Sequence, residues 1–306
     1  MSKSVDCPVC LSGKSTTFST VGQHSYYLCG SCDSIHIAPC ILEAMDAGTA
    51  EIGQYDDQYW ETEAESAQRR ASGLSLCRAG EAILYCRRPV QRFLDVGTGP
   101  GFLLRELQRL LDPEAEIFHG VERFPPKFAV DVRNLHIGDV KQLHETFDAG
   151  VCIEVIEHLS PGMLRSLARE LARISRPGTL WLFNTGMPDY VRSQDPAYLD
   201  PVRGHVVSYS LRGAASCFEP FGFRTEGMPG RNFGFVVERE PADAVPFDER
   251  IYCPLAENRA LLERSALLYH AAFETARSYY YQGGYGERTR WALSLQSELQ
   301  ALRFPA

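Results

Sequence analysis

The chain has 306 residues, which corresponds to about two domains of roughly 150 residues each. Hydrophobic residues make up 44% and charged residues 23% of the sequence, a composition that excludes disorder and collagen-like repeats. The formal net charge is −8, whereas a surface that binds nucleic acid should be rich in Lys and Arg, so we do not expect a nucleic-acid partner. No stretch approaches the about 18 apolar residues of a membrane helix, and the N-terminus lacks an apolar signal-peptide core. Both observations favour a cytoplasmic protein without a membrane segment.

Four cysteines near the N-terminus form two C-x-x-C pairs, Cys7 with Cys10 and Cys29 with Cys32, separated by eighteen residues. Each pair places two thiolates on one turn, and together they complete the tetrahedral sulfur shell that zinc prefers. The residues between the pairs alternate in polarity and are rich in β-branched types, which predicts a short hairpin. This pattern is typical of a zinc ribbon, here over residues 1–45. Because thiolates fill all four coordination positions, we expect the zinc to be structural.

A glycine-rich turn follows an apolar strand in the next part of the chain. The turn is Gly97-Thr-Gly99-Pro-Gly101, and it leads into a segment with helical apolar spacing. A nicotinamide-binding fingerprint needs a further glycine where this chain has Phe102, so that cofactor is excluded. Asp95, two residues before the turn, would repel a pyrophosphate but suits a cationic ligand such as a sulfonium.

This series resembles class I S-adenosylmethionine-dependent methyltransferases, whose first motif is D-x-G-x-G-x-G. Glu122, 21 residues after Gly101, looks like the acid that holds the ribose hydroxyls, and further motifs follow in order up to about residue 240. The resemblance implies an α/β fold with a doubly wound, Rossmann-like sheet of seven strands whose last pair is antiparallel. It implies a cofactor-binding role for Tyr55, Tyr59, Asp95, Gly97, Thr98, Gly99, Gly101, Glu122, Asp139, Val140 and Glu154.

An aromatic segment precedes the glycine turn and contains Tyr55, Tyr59 and Trp60. Methyltransferases with an N-terminal zinc ribbon have a similar segment that folds over the methionine end of the cofactor, where aromatic faces can attract a sulfonium. Packing within a helix is the alternative, and for Trp60 we prefer it.

Two histidines follow predicted strands at positions that face the donor methyl in the resembled fold. His158 follows the fourth predicted strand, residues 147–153, and His205 follows the fifth, residues 179–184. A neutral imidazole can take a proton near pH 7, so both are candidate catalytic residues. We place His205 first, as the acceptor-side base or orienting group. The alternative for His158 is a ring that fixes its own loop. In similar methyltransferases that act on deoxysugars an acid precedes the second histidine; this chain has Gly204 there, which favours an oxygen or nitrogen nucleophile over carbon.

The sequence divides into a zinc ribbon at residues 1–45, a methyltransferase domain at 46–245 and a helical C-terminal extension at 246–306. Apolar spacing over residues 255–281 predicts one helix of the extension, Gly283 and Gly284 predict its end, and a second helix completes a helical hairpin. Core packing or homodimerisation is the default interpretation of this hairpin. A lid over the substrate, with residues 279–281 turned inward, is the alternative.

The expected function is in-line transfer of a methyl group from S-adenosylmethionine to a small-molecule acceptor, namely a sugar, a nucleotide sugar or a secondary metabolite. Two alternatives stay open. One is an RNA methyltransferase that uses the zinc ribbon to hold its substrate. The other is a non-catalytic protein that binds the cofactor and interacts with partners.

Overall fold

A computed structural model of the chain describes residues 4–50, 52, 57–128, 130–241 and 244–303, and only the backbone at 57–59, 290 and 295–303. Among these residues no helix combines the length and the apolar character that crossing a bilayer would require.

A five-stranded antiparallel sheet forms at the N-terminus of the chain. Four of its strands are β1 (Val5–Asp6), β2 (Lys14–Val21), β3 (His24–Cys29) and β4 (Ile35–Ile37), and β2 with β3 forms the predicted hairpin. The fifth strand, β10 (Val207–Ser208), comes from far along the chain and pairs with β4. A segment of the α/β part therefore completes the sheet of the ribbon.

The strands that alternate with helices along the chain form the main sheet. Its strands are β5 (Phe93–Val96), β6 (Phe118–Glu122), β7 (Leu135–Ile137), β8 (Phe147–Ile153), β9 (Ser175–Gly186), β11 (Phe223–Gly227) and β12 (Phe233–Arg239). Within the described residues their order is β11-β12-β9-β8-β5-β6-β7, and β12 is antiparallel to both of its neighbours. The predicted doubly wound sheet of seven strands with an antiparallel last pair is confirmed. The order reverses between β5 and β8, where open α/β sheets bind ligands.

Helices cover both faces of this sheet, and β9 shows why. Successive side chains of a strand point to opposite faces, so Trp181 and Phe183 enter one core while Leu180 and Leu182 enter the other. The first core also contains the ribbon, and the second contains the C-terminal helices. The helices up to β11 are α1 (Pro39–Asp46), α2 (Asp57–Ala71), α3 (Leu74–Tyr85), α4 (Phe102–Leu111), α5 (Pro161–Arg173), α6 (Pro188–Ser193) and α7 (Leu211–Phe218).

The C-terminal extension packs on the second core, as the core-packing interpretation predicts. Leu268 and Ala272 are buried against α3, where a Cβ on Gly80 would lie 2.8 Å from the Cβ of Ala272. The glycine thus lets two helices cross closely. The helices of the extension are α8 (Phe247–Tyr252), α9 (Ala256–Glu263) and α10 (Ala266–Arg303).

The predicted hairpin of the extension is wrong, because α10 continues through Gly283 and Gly284. A glycine inside a helix costs only about 1 kcal/mol relative to alanine, which packing can offset. Gly283 has such packing: a Cβ there would lie 2.7 Å from the backbone nitrogen of Gly230, in the loop between β11 and β12. The glycine permits close approach instead of ending the helix.

The lid interpretation of the extension also disagrees with the structure. Tyr281 is 59% exposed, and the ring of Tyr279 lies 4.0 Å from the guanidinium carbon of Arg231 instead of over the glycine turn. Trp291 of the predicted apolar stripe is exposed, and the side chains of its other members, Leu295, Leu299 and Leu302, lie outside the described residues. Homodimerisation through these helices stays a prediction.

Candidate functional site

The glycine turn lies at the switch point, directly after β5. Gly97, Gly99 and Gly101 all have positive φ values, of 73°, 57° and 85°, which residues with a Cβ rarely adopt. The turn is fixed from the neighbouring strand, because the backbone N–H of Gly99 donates to Glu122 Oε2 at 2.8 Å. Gly101 lies behind the turn as the N-cap of α4, where a Cβ would meet Val130 and its neighbours.

A cavity of about 630 Å³ opens on one side of this turn. Glu122, Asp139, Val140 and Glu154, four of the predicted cofactor-binding residues, line it together with Gly97. The second carboxylate oxygen of Glu122 accepts the backbone N–H of the residue two positions later at 2.7 Å, so its carboxylate is held at the wall. Each of its oxygens keeps a second lone pair, with which it can accept a hydroxyl.

A smaller cavity of about 110 Å³ lies on the other side of the turn. Asp95, Thr98 and Gly99 line it on the β5 side, and His158 and His205 line it on the opposite side. Four residues belong to the walls of both cavities: Trp60, Gly97, Glu154 and His158. The structure therefore brings eight of the eleven predicted cofactor residues and both predicted catalytic histidines to two adjoining spaces.

Three carboxyl groups give these cavities their electrostatic character: those of Asp95 and Glu122, which are buried, and that of Glu154, which is half-buried. Burial raises the pKa of Asp95 to about 7, and burial likewise raises the pKa of Glu122 and of Glu154. Removing a carboxylate from water disfavours its charge, and a bound cation would restore that charge. The cavities therefore fit a ligand with a ribose and a positive centre, as S-adenosylmethionine has, better than they fit a pyrophosphate.

Trp60 is the part of the predicted aromatic segment whose side chain is described. A Cβ on Gly99 would lie 2.9 Å from its ring, and its indole N–H donates to the carbonyl of Phe124 at 3.1 Å. Trp60 thus contacts the glycine turn, whereas the sequence favoured packing within a helix. Tyr55 and the side chain of Tyr59 lie outside the described residues.

The two histidines are in contact at the wall of the smaller cavity. Their ring centroids are 4.8 Å apart with an angle of 70° between the planes. Nδ1 of His205 lies 2.6 Å from the carbonyl oxygen of Tyr198, and since a carbonyl can only accept, Nδ1 carries the proton and Nε2 keeps its lone pair. Burial lowers the pKa of His205 to about 4 and that of His158 to about 3. Both rings are therefore neutral at pH 7.

The backbone explains why a glycine precedes the second histidine. Gly204 has a φ of 80° at the end of a short 3-10 turn, and the backbone N–H of His205 returns to the carbonyl of Asp200 at 3.1 Å. An acid at position 204 would be strained in this conformation. The left-handed backbone at position 204 therefore favours glycine there.

Glu157 is a residue of the site that our sequence reasoning missed. It is fully buried beside the two histidines, and one ligand atom from each of the three lies within 4.8 Å of the others. In the sequence it stands between Glu154, a predicted cofactor residue, and His158, a candidate catalytic residue, with no separate signal of its own. Only the fold places His205 next to this stretch.

The four N-terminal cysteines converge as their spacing predicts. Their sulfur atoms lie within 4.8 Å of one another, with 3.8 Å between Cys7 and Cys32 and 3.8 Å between Cys10 and Cys29. Zn–S bonds of about 2.3 Å in a tetrahedron imply sulfur–sulfur distances of about 3.8 Å, so the cluster fits zinc. The backbone N–H groups of residues 31 and 32 point at Cys29 Sγ, at 3.3 and 3.4 Å, which suits a thiolate.

Comparisons with known proteins agree with this architecture. Residues 64–226, more than half of the chain, match the family model described as a methyltransferase domain. No curated protein sequence matches the chain. Among solved structures it is similar to DesVI of Streptomyces venezuelae, with 16% identity and a TM-score of 0.44 over 60% of this chain and 98% of that one.

Two further solved structures are similar to this chain with comparable identities and TM-scores. TnmH is 19% identical, with a TM-score of 0.44 over 66% of this chain and 67% of its own. Human N-acetylserotonin methyltransferase, solved in complex with S-adenosylmethionine, is 14% identical, with a TM-score of 0.42 over 67% and 68% of the two chains. On the strength of the family match and its seven-stranded sheet, this chain belongs to the methyltransferase domain family and is an S-adenosylmethionine-dependent methyltransferase of the class I fold.

Proposed function

We propose that the protein transfers the methyl group of S-adenosylmethionine to a hydroxyl group of a small-molecule acceptor. One observation carries the proposal: a larger cavity lined by acids adjoins a smaller one lined by histidines, and the two share the wall at Gly97, Glu154 and His158. A donor in the first space and an acceptor in the second would meet at that wall. Holding two reactants in contact and in line supplies much of the catalysis in such a displacement.

The proposed cofactor residues would each contact a different part of S-adenosylmethionine. Glu122 would accept the ribose hydroxyls, Asp139 and Val140 would border the adenine, and Glu154 would face the positively charged methionine end, which would extend past the shared wall toward Asp95. When bound, the cofactor supplies an activated methyl group whose bond to sulfur breaks while the sulfur keeps the electron pair. Glu154 is oriented for this by Asn184, whose amide donates to its Oε1 at 2.9 Å.

The size of the smaller cavity supports a small acceptor. An enclosed cavity of roughly 150 Å³ holds a benzene ring, so a space of about 110 Å³ is on the scale of one hydroxyl-bearing group or part of a ring. Arg70 and Arg203 also line this space, and they could bind anionic oxygens of the acceptor. His205, with its free Nε2, would orient the reacting hydroxyl or take its proton.

We also propose that Cys7, Cys10, Cys29 and Cys32 hold a structural zinc ion. A shell of four thiolates has no open position for a substrate, so the ion would stabilise the fold around it. What it would stabilise is close to the acceptor side: the hydroxyl of Tyr26, on β3 of the ribbon, donates to the carbonyl of His205 at 2.7 Å.

Calorimetry with S-adenosylhomocysteine tests the cofactor half of the proposal. The Glu122→Gln variant loses a charged partner of the ribose, which costs about 1.5–3 kcal/mol, or about 10- to 100-fold in affinity. Glu116→Gln is the matched control, because Glu116 is exposed near the opposite end of the same strand. Equal affinity in both variants would contradict the assignment of Glu122, and no binding to the wild type would contradict the function.

A further inference from the structure

The site contains a buried carboxyl group with one oxygen that accepts no hydrogen bond. Glu157 Oε2 accepts the hydroxyl of Thr185 at 3.0 Å, but Oε1 is buried and has no hydrogen-bond partner among the described residues. A buried polar oxygen without a partner is costly, so this position suits a ligand that the oxygen can bind.

A second carboxylate increases the demand for positive charge. Glu154 lies three residues before Glu157, is half-buried, and adopts a φ of 55°, which is unusual for a residue with a Cβ. A strained backbone that turns one carboxylate toward another persists where surrounding structure or a ligand supports it.

The two histidines complete a set of ligands for a metal ion. His158 and His205 each bring a ligand atom within 4.8 Å of a Glu157 oxygen. A neutral imidazole nitrogen is a common metal ligand. The bond from His205 Nδ1 to the carbonyl of Tyr198 fixes the ring with Nε2 available. Metal-bound histidines almost always have such a partner on their second nitrogen.

We propose that Glu157, His158 and His205 bind a divalent transition-metal cation that in turn binds the hydroxyl of the acceptor. Imidazole and carboxylate ligands together suit Mn²⁺, Fe²⁺ or Zn²⁺ better than a cation that prefers oxygen ligands only. Three protein ligands leave positions open for substrate, unlike the closed shell of the four cysteines. Because His158 and His205 line the smaller cavity, the open positions would face the acceptor.

This inference rests on the proposed function and changes the role of the histidines. A nitrogen that binds a cation has no lone pair left for a proton, so the base role and the ligand role exclude each other. The cation would lower the pKa of the hydroxyl, whose proton leaves to solvent. The oxygen then forms the new bond to the methyl carbon as the carbon–sulfur bond breaks and the sulfur keeps its electron pair.

Titration with Mn²⁺, followed by the electron paramagnetic resonance signal of the free ion, tests the site in the full-length protein. Thiolates prefer softer metals, so the zinc-loaded cysteine cluster should not compete. We expect the wild type to bind one Mn²⁺ per chain. Glu157→Gln and His158→Asn should weaken it by more than the about 10- to 100-fold that changes in a second shell cost. His136→Gln is the control for adventitious binding, because His136 and His119 form a separate pair with nitrogens 3.3 Å apart.

Calorimetry with S-adenosylhomocysteine on the same samples separates the two proposals. A Glu157→Gln variant that binds S-adenosylhomocysteine normally but not Mn²⁺ is folded and has lost only the metal site, as we expect. Failure of the wild type to bind Mn²⁺, or equal Mn²⁺ binding by the variants and His136→Gln, would overturn the metal site and leave the methyltransferase proposal intact. Mn²⁺ binding without cofactor binding would overturn the methyltransferase proposal instead.

Discussion

The contact between the ribbon and the acceptor side gives a sharp prediction for Tyr26→Phe. The substitution removes one hydroxyl and leaves the ring, so packing is kept. Tyr26 is fully buried and His205 is 2% exposed, so water cannot replace the hydroxyl that donates to the His205 carbonyl at 2.7 Å. An unsatisfied buried acceptor costs about 1–3 kcal/mol, which is the expected loss in the free energy of unfolding.

The same loss sets an upper limit for the effect on catalysis. If all of it displaces His205 in the transition state, kcat falls by about 5- to 150-fold, since about 1.4 kcal/mol is a factor of ten. Denaturant unfolding, turnover and cofactor affinity should be measured together, and the affinity for S-adenosylhomocysteine should not change. Tyr27→Phe is the matched control, because Tyr27 is the next residue and its ring stacks on His36 instead. A Tyr26→Phe variant as stable and as active as Tyr27→Phe would refute the proposed connection.

Two further predictions concern the zinc cluster and the long C-terminal helix. Cys29→Ser should lose zinc in metal analysis, together with much of the roughly 10 kcal/mol that such a site contributes to folding. Cys40→Ser should keep it, because Cys40 is exposed outside the cluster; equal zinc in both would contradict the site. Gly284→Ala should raise the free energy of unfolding by up to about 1 kcal/mol, since nothing lies within 4 Å of the added Cβ. Gly283→Ala should lower the free energy of unfolding, because its Cβ would meet the Gly230 backbone. An increase for both variants in denaturant unfolding would contradict that contact.

The parts of the fold that the sequence predicts well are those whose signal is local. The glycine turn after β5 needs three positive φ values within five residues, and each cysteine pair needs one turn. A short spacing in the sequence is therefore enough to predict either feature. The order of the motifs along the chain then places Glu122 and Asp139 around one cavity. These features depend on neighbours in sequence, which is why they can be predicted without coordinates.

The errors and omissions have the opposite cause, because each depends on a partner distant in sequence. In the sequence Gly283 resembles the end of a helix, and only the structure shows that it packs against Gly230, in the loop between β11 and β12. β10 has two residues and no strand signal of its own, and it exists because β4 offers a free edge. Glu157 looks like one more residue of the cofactor stretch until the chain returns 48 residues later with His205. No local pattern contains this information.

The position of β10 bears on what the ribbon does for the enzyme. The segment from His205 to Ser210 is bonded to the ribbon along its length: Tyr26 holds the His205 carbonyl, β4 pairs with β10, and the Ser34 hydroxyl accepts the Ser210 N–H at 3.1 Å. Ser210 also caps α7, the helix that follows, so the ribbon reaches both ends of the segment. The proposed zinc ion, bound by four thiolates, would have no open position for chemistry, so any contribution to methyl transfer would be mechanical. It would keep β3 and β4 rigid, and through them the histidine that faces the acceptor.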